Sequence, residues 1–270
     1  MSQSFRNLHA VGNPFILANA WDRGTACLLA GLGAKALATS SGAHAFTLGR
    51  PDLGTVTRDE ALTHAEGIVS ATSLPVSGDF ENGFGDAPDI MEETVKLSAE
   101  IGLAGISIED ISLTDMQPYD FDLAVERIQA ASATARALPK DFVLVARADG
   151  FMHGIYDLDE AIKRIQGFEA AGADCVYIPY LHTLDAVLRV CSSVSIPVNV
   201  GISSVENVTL REFAAAGVAR VSLGMALATA THTTVHSLST SMFEHGDFSK
   251  LGDRLSYDAI DACMTKGRSK

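Results

Sequence analysis

Two carboxylates, Asp79 and Glu81, stand two residues apart in the segment PVSGDFENGFGD at 75–86. Strand side chains alternate between faces, so this spacing predicts that both acids project together from one strand end. Gly83 and Gly85 follow and let the chain bend closely around whatever the acids hold. Paired acids repel one another unless a cation or a shared proton lies between them. Mg²⁺, a hard ion that prefers oxygen, meets that need; an Asx-type turn with a solvated Glu81 is the alternative. Further along, SIED sets Ser107 and Glu109 on one face, and ARAD does the same for Arg147 and Asp149. Arg147 has the planar fork that pairs with a substrate carboxylate, although an ion-pair network closing the end of a fold would use the same residues. In TSSGAH, Ser40, Ser41 and Gly42 offer a hydroxyl and backbone N–H groups to an oxyanion. Ordinary strand-to-loop chemistry is the alternative there, and His44 reads as a loop histidine. Asn199 and Tyr180 are expected to line a pocket.

Short apolar runs at 15–20, 34–42, 75–81, 104–110, 142–149, 175–180, 197–202 and 219–224 read as buried strands. Helix-period segments near 22–31, 58–72, 87–102, 120–138, 157–171, 183–193, 204–216 and 225–243 alternate with them. The phrases AGLGAKAL, AEIGLAGI, EAAGADCV and AAAGVARV repeat one device: a helix closed by glycine, then a small residue, then a strand. Eight such units predict an α/β fold, a single (β/α)₈ TIM barrel over 1–246, with a helical tail over 247–270 that carries one more helix near 255–264. In such barrels the chemistry sits at the C-terminal ends of the strands. The polar segments above all fall there.

The net charge of −13 disfavours nucleic acid and anionic membranes as partners. It also means that an anionic substrate needs local cations. The four cysteines are far apart in the chain and form no Cys-x-x-Cys pair, so reduced thiols in a cytoplasmic protein are expected. No apolar run approaches the roughly 18 residues of a membrane span.

With NAWD at 19–22, TSSG at 39–42, LGRPD at 48–52, GDFENGFGD at 78–86, SIED at 107–110 and ARAD at 146–149, in this order, the chain resembles the isocitrate lyase/phosphoenolpyruvate mutase superfamily over nearly its whole length. The resemblance implies a barrel that binds Mg²⁺ and a 2-oxo acid or its enolate. It implies Asp79 as direct metal ligand, and Asp52, Glu81 and Glu109 as acids that hold the metal's waters. It implies Ser40, with the backbone of Ser41 and Gly42, as the pocket for a pyruvyl carboxylate, and Arg147 as its cationic partner. A homodimer or homotetramer that exchanges its last helix between subunits is also implied.

The lyases of the family that act on isocitrate and methylisocitrate carry Lys-Lys-Cys-Gly-His after the fourth strand, and members that process phosphonopyruvate keep a lysine there. Here the loop is ISLTDMQPYD at 111–120, with no lysine, cysteine or histidine. The expected activity is therefore a Mg²⁺-dependent carbon–carbon lyase or decarboxylase on a small 2-oxo or 2-hydroxy di- or tricarboxylate. Arg147 and Glu109 are its charged groups, Asn199 lines its pocket, and water or Thr114 supplies the proton, with Asp115 and Tyr119 as further loop candidates. A P–C bond enzyme acting on phosphonopyruvate, and a weakly active 2-oxo acid binding protein, are the alternatives.

Overall fold

A computed structural model describes residues 4–202, 207–252 and 254–268. Eight parallel strands close in sequence order: β1 (Phe15–Asn19), β2 (Ala36–Ala38), β3 (Val76–Asp79), β4 (Gly105–Glu109), β5 (Val143–Arg147), β6 (Cys175–Tyr177), β7 (Val198–Gly201) and β8 (Arg220–Ser222), with β8 returning to β1. The expected TIM barrel is the fold. Around it lie α1 (Phe5–Leu8), α2 (Arg23–Gly31), α3 (Ser41–Thr47), α4 (Arg58–Ala71), α5 (Pro88–Glu100), α6 (Phe121–Ala137), α7 (Leu158–Ala170), α8 (Leu184–Ser193) and α9 (Leu210–Ala215). Two further helices, α10 (Ala226–His245) and α11 (Tyr257–Gly267), follow the barrel.

The repeated glycine device has a physical identity. After α2, Gly33 adopts φ 102°, its N–H bonds the Ala30 carbonyl, and the Ala34 N–H reaches back to Leu29. The same pair of bonds recurs at Gly102, Gly172 and Gly217, which makes four Schellman caps that each deliver the chain into the next strand. A left-handed residue is needed at each, and glycine takes it without a Cβ clash.

The main apolar core lies between strands and helices, with Phe80, Phe168 and Phe213 fully buried in it. A second cluster fills the bottom of the barrel, where Phe5 and Leu8 of α1 plug against Phe15, Val143 and Cys175. Above that plug the inward positions are small or polar: Ser77, Ser107, Asn199 and Ser222. They leave space in the barrel rather than filling it.

Three local readings are corrected. The second strand stops at Ala38 instead of running to 42, because Ser40 caps α3, its hydroxyl accepting from the Ala43 N–H at 3.4 Å. The third strand stops at Asp79, and Glu81 sits in the following turn at φ 46°, where strand alternation no longer holds. The sixth strand ends at Tyr177 rather than 180. At the end of the chain, α11 packs on α2 so tightly that Gly31 and Gly267 have no room for a methyl group against the facing backbone. Among the described residues no helix is long and apolar enough to cross a membrane, and all four cysteines are free.

Candidate active site

At the C-terminal end of the barrel a cavity of ≈ 540 Å³ is bounded by Ser40, Ser41, Gly42, Asp52, Asp79, Glu81, Ser107, Glu109, Arg147, Asn199 and Arg220, among others. All nine residues assigned a metal or substrate role from sequence line it, and so does Tyr180. Thr114 does not. It is exposed, on a second groove of about 610 Å³ that shares only Glu81 with the cavity.

Asp79 is the hub. Its Oδ2 accepts from the Ser41 N–H and hydroxyl, each at 3.0 Å, and its Oδ1 accepts from Ser107 at 3.2 Å and Arg147 Nη1 at 2.8 Å. The same Nη1 lies 3.0 Å from Glu109 Oε1. The Arg147 fork itself closes on Asp149, Nε at 2.9 Å and Nη2 at 2.6 Å. Sequence reasoning aimed that fork at a substrate, but a 3₁₀ turn beginning at Asp149 swings the nearby carboxylate onto it. Burial works against the Arg147 charge, yet Asp149, Glu109 and Asp79 outweigh it and hold the guanidinium protonated far above its ordinary range.

The loop between α3 and α4 folds over the other side of Asp79. The Leu53 N–H donates to Asp52 Oδ1 at 2.8 Å, and the Gly54 N–H donates to Glu81 Oε1 at 2.9 Å. Glu81 Oε2 is buried and has no hydrogen-bond partner. Burial is the main reason the Glu81 carboxyl is pushed up to about 7, with Asp79 and Asp52 adding to it and the Gly54 N–H opposing. Burial likewise raises Asp52, Glu109 and Asp149. Five carboxyls thus share one guanidinium, and protons are retained where positive charge is short. Among the described residues, no three acid, histidine or cysteine side chains close on one point as a ready cage for a metal.

The acids are held from behind by two buried networks. Asp110 accepts from the Asp149 N–H and the Tyr156 hydroxyl, both at 2.8 Å, and pairs with Arg164 at 3.0 Å. Arg127 of α6 donates to the carbonyls of Asn82, Gly85 and Asp86 and stacks on Tyr119. Tyr119 donates to Asp86 Oδ1 at 2.6 Å and accepts from Asn82, so its hydroxyl braces the loop rather than facing the cavity. The loop Ile111–Asp120 folds on itself through the Ile111–Pro118 bridge. His44 is buried and stacked on His64 with ring centroids 3.8 Å apart, not a free loop histidine. Sequence reasoning missed Arg220, Ser222, Tyr177 and His153, all on the cavity wall. For Arg220 the signal was present: a charged residue inside an apolar strand.

The sequence pattern of the phosphoenolpyruvate phosphomutase family matches residues 5–243. A crystal structure from Burkholderia cenocepacia J2315, provisionally called a lyase/mutase, superposes with a TM-score of 0.92 at 43% identity and covers 96% of this chain and 94% of its own. The 2-methylisocitrate lyase of Escherichia coli K12 is 31% identical over 209 residues, 74% of this chain and 69% of its own. An oxaloacetate decarboxylase of Pseudomonas savastanoi pv. phaseolicola is 30% identical over 208 residues, 73% of this chain and 68% of its own. On the barrel, the matched pattern and these relatives, the chain belongs to the phosphoenolpyruvate phosphomutase family, within the isocitrate lyase/PEP mutase superfamily.

Proposed function

We propose that the protein is a Mg²⁺-dependent carbon–carbon lyase or decarboxylase that forms a pyruvate-type enolate from a small 2-oxo or 2-hydroxy di- or tricarboxylate. The observation that carries this reading is the surplus of acid over cation, with Glu81 Oε2 buried and unpartnered beside Asp79 and Asp52. An oxygen in that state is costly unless a donor or a cation meets it. Arg147 occupies the Asp79–Glu109 edge, so Asp79, Asp52 and Glu81 are the residues assigned to the ion, with Glu109 linked to them through the guanidinium. The described residues offer carboxylates in ones and twos rather than a three-ligand cage, which suits Mg²⁺, an ion that keeps several waters and takes one or two carboxylates. When bound, the ion supplies positive charge that polarises a substrate oxygen.

The chain's own groups do the rest. Arg147, locked by Asp149, presents a fixed positive charge to negative charge that develops on the substrate, with no reorganisation needed. Ser40, Ser41 and Gly42 on the cavity wall are assigned to the pyruvyl carboxylate. Thr114 is off the cavity, so delivery of the proton passes in this reading to Tyr177 or His153, which line it.

The test is turnover of oxaloacetate, substituted malates and citrates, with phosphonopyruvate alongside, in the presence and absence of EDTA. Metal-dependent cleavage is expected, with Asp79→Ala down by at least ~10³-fold, or about 4 kcal/mol. Metal-independent turnover, or full activity in Asp79→Ala, rejects the reading.

The proposal extends to a homodimer or homotetramer. What supports it is α10, in which only Ala228 and Ser241 are buried while Val235 and Phe243 are exposed. Ile16, on the outer face of β1, is likewise uncovered.

A further inference from the structure

Arg220 is the exception among the buried arginines. Arg147 meets three carboxylates, Arg164 meets Asp110 and Glu160, and Arg127 meets three carbonyls. Arg220 is 3% exposed and, among the described residues, has no carboxylate within ion-pair distance. Its Nε donates to Asn199 Oδ1 at 2.8 Å, and Asn199 in turn donates to the Ser222 hydroxyl at 2.9 Å. Its Nη1 lies 3.5 Å from His9 Nε2, a long contact to a ring that burial, chiefly, and then Arg220 itself hold neutral, with its pKa lowered to about 3. The buried thiol of Cys175 and the phenol of Tyr177 lie nearby, but burial pushes them up to about 11 and about 12, so neither supplies a negative charge at neutral pH.

A guanidinium has five N–H donors, and the described residues engage few of these. The only sealed side-chain nitrogen or oxygen without a partner among the described residues is Glu81 Oε2, so Arg220 Nη2, which has no hydrogen-bond partner among them, opens to the cavity that this residue lines. Burial works against the Arg220 charge and Asp79 acts on it only from a distance; burying a charge with no counter-charge in contact costs several kcal/mol, and an apolar residue of similar volume would avoid that cost. In a barrel interior such an arrangement calls for an anion.

We propose that Arg220, backed by Asn199 and Ser222, is an anion subsite on the β7–β8 wall that takes a second carboxylate of the substrate. The inference rests on the enolate reading of the same site and narrows it to substrates held through two carboxylates: the first near Ser40–Gly42 after β2, the second at Arg220 on β8, with β1 between them. A carboxylate held there keeps its charge through the reaction, because its conversion to neutral CO₂ would strand the guanidinium again. Any carboxyl group lost in the reaction is therefore a third one, so a substrate held at both points is either cleaved at a carbon–carbon bond without loss of CO₂ or carries three carboxyl groups.

The test compares matched ligands that differ only by a carboxylate in place of a methyl group: malate against 2-hydroxybutyrate, and 2-oxoglutarate against 2-oxovalerate. Affinities of the full chain are measured by calorimetry in MgCl₂, with oxalate as control. Wild type is expected to favour at least one dicarboxylate by tenfold or more. Arg220→Met should erase that preference while it leaves the methyl-ended ligand within about twofold, and Arg220→Lys should restore part of it. Without ligand, Arg220→Met should melt no lower than wild type, since an unpaired buried charge is removed. An unchanged preference in Arg220→Met, or a stabilisation by chloride equal to that by the dicarboxylates, overturns the subsite. So does failure of both Arg220→Met and Arg220→Gln to fold, which marks a structural peg. If oxalate binds in an Asp79-dependent manner while the preference ignores Arg220, only the subsite falls. If oxalate does not bind at all, the enolate reading falls with it.

Discussion

The two walls of the cavity are built on opposite plans. On the β3–β5 side, Asp79, Glu109 and Asp149 are threaded together by Arg147, and the ring is tied to a second network at Asp110 and Arg164. On the β7–β8 side a single guanidinium hangs from one amide oxygen. The first wall has more negative charge than its own cation can offset, and the second has positive charge with no acid in contact with it among the described residues. A substrate that carries anions, together with a divalent ion, balances both. The contrast also bears on the problem posed by the net charge of −13. Arg147 shares its charge among three acids, and among the described residues Arg220 is the cavity cation with no carboxylate within ion-pair distance.

The largest expected effect tests how firmly the acid wall depends on its backing. Arg164 is nearly buried, pairs with Asp110 at 3.0 Å and donates to the Tyr119 carbonyl at 2.9 Å. Arg164→Met leaves Asp110 charged or protonated in a sealed site, and breaking a buried pair this way costs about 3–5 kcal/mol. Urea unfolding should show that loss, whereas Arg220→Met should show none. Equal destabilisation of both variants would erase the distinction between the walls.

A smaller effect concerns the unpartnered carboxyl. In the folded chain Glu81 keeps its proton up to about 7 because it is buried, against an ordinary 4.5 once unfolded. Between those pH values the folded state binds more protons than the unfolded one, so the Glu81 contribution makes stability fall as pH rises. Asp52, Glu109 and Asp149 act in the same direction. Glu81→Gln removes one such group, and in EDTA it should flatten the decline between pH 4.5 and 7 by ~2–3 kcal/mol. Denaturant midpoints across that range measure it, and an unchanged slope would mean that Glu81 is not the acid short of a partner.

The barrel was legible in the sequence because its four Schellman caps recur as glycine with alanine one or two places later and then a strand, a local signal that tertiary packing does not override. The acids were legible as a group because strand ends converge at one rim. Their individual geometry was not. The alternation rule for Asp79 and Glu81 presumes a strand that the Phe80–Gly83 turn has already ended. Whether Arg147 points at a ligand or at Asp149 depends on a 3₁₀ turn that leaves no periodic trace. The cap at Ser40 was readable in kind, but an apolar run ahead of it favoured a longer strand. Arg220 stood in plain view within ARVSLG and passed as part of an apolar strand.

The smallest effect probes the seam where the walls meet. Gly42 opens the acid side at the start of α3, and Met225 follows β8 at the head of α10. A Cβ on Gly42 would lie 2.5 Å from Asp52 Oδ2 and 2.6 Å from Met225 Sδ. The thioether can turn away at little cost, since methionine has three soft torsions. The Asp52 carboxylate cannot do so as freely, because the Leu53 N–H fixes its Oδ1. Gly42→Ala should therefore lower stability by only about 1 kcal/mol and weaken Mg²⁺ binding, read by calorimetry, about tenfold through displacement of Asp52. If stability falls while metal affinity holds, Met225 has absorbed none of the strain and Asp52 does not serve the ion. The acid wall would then end at Glu81, and the loop that carries Asp52 would belong to neither wall.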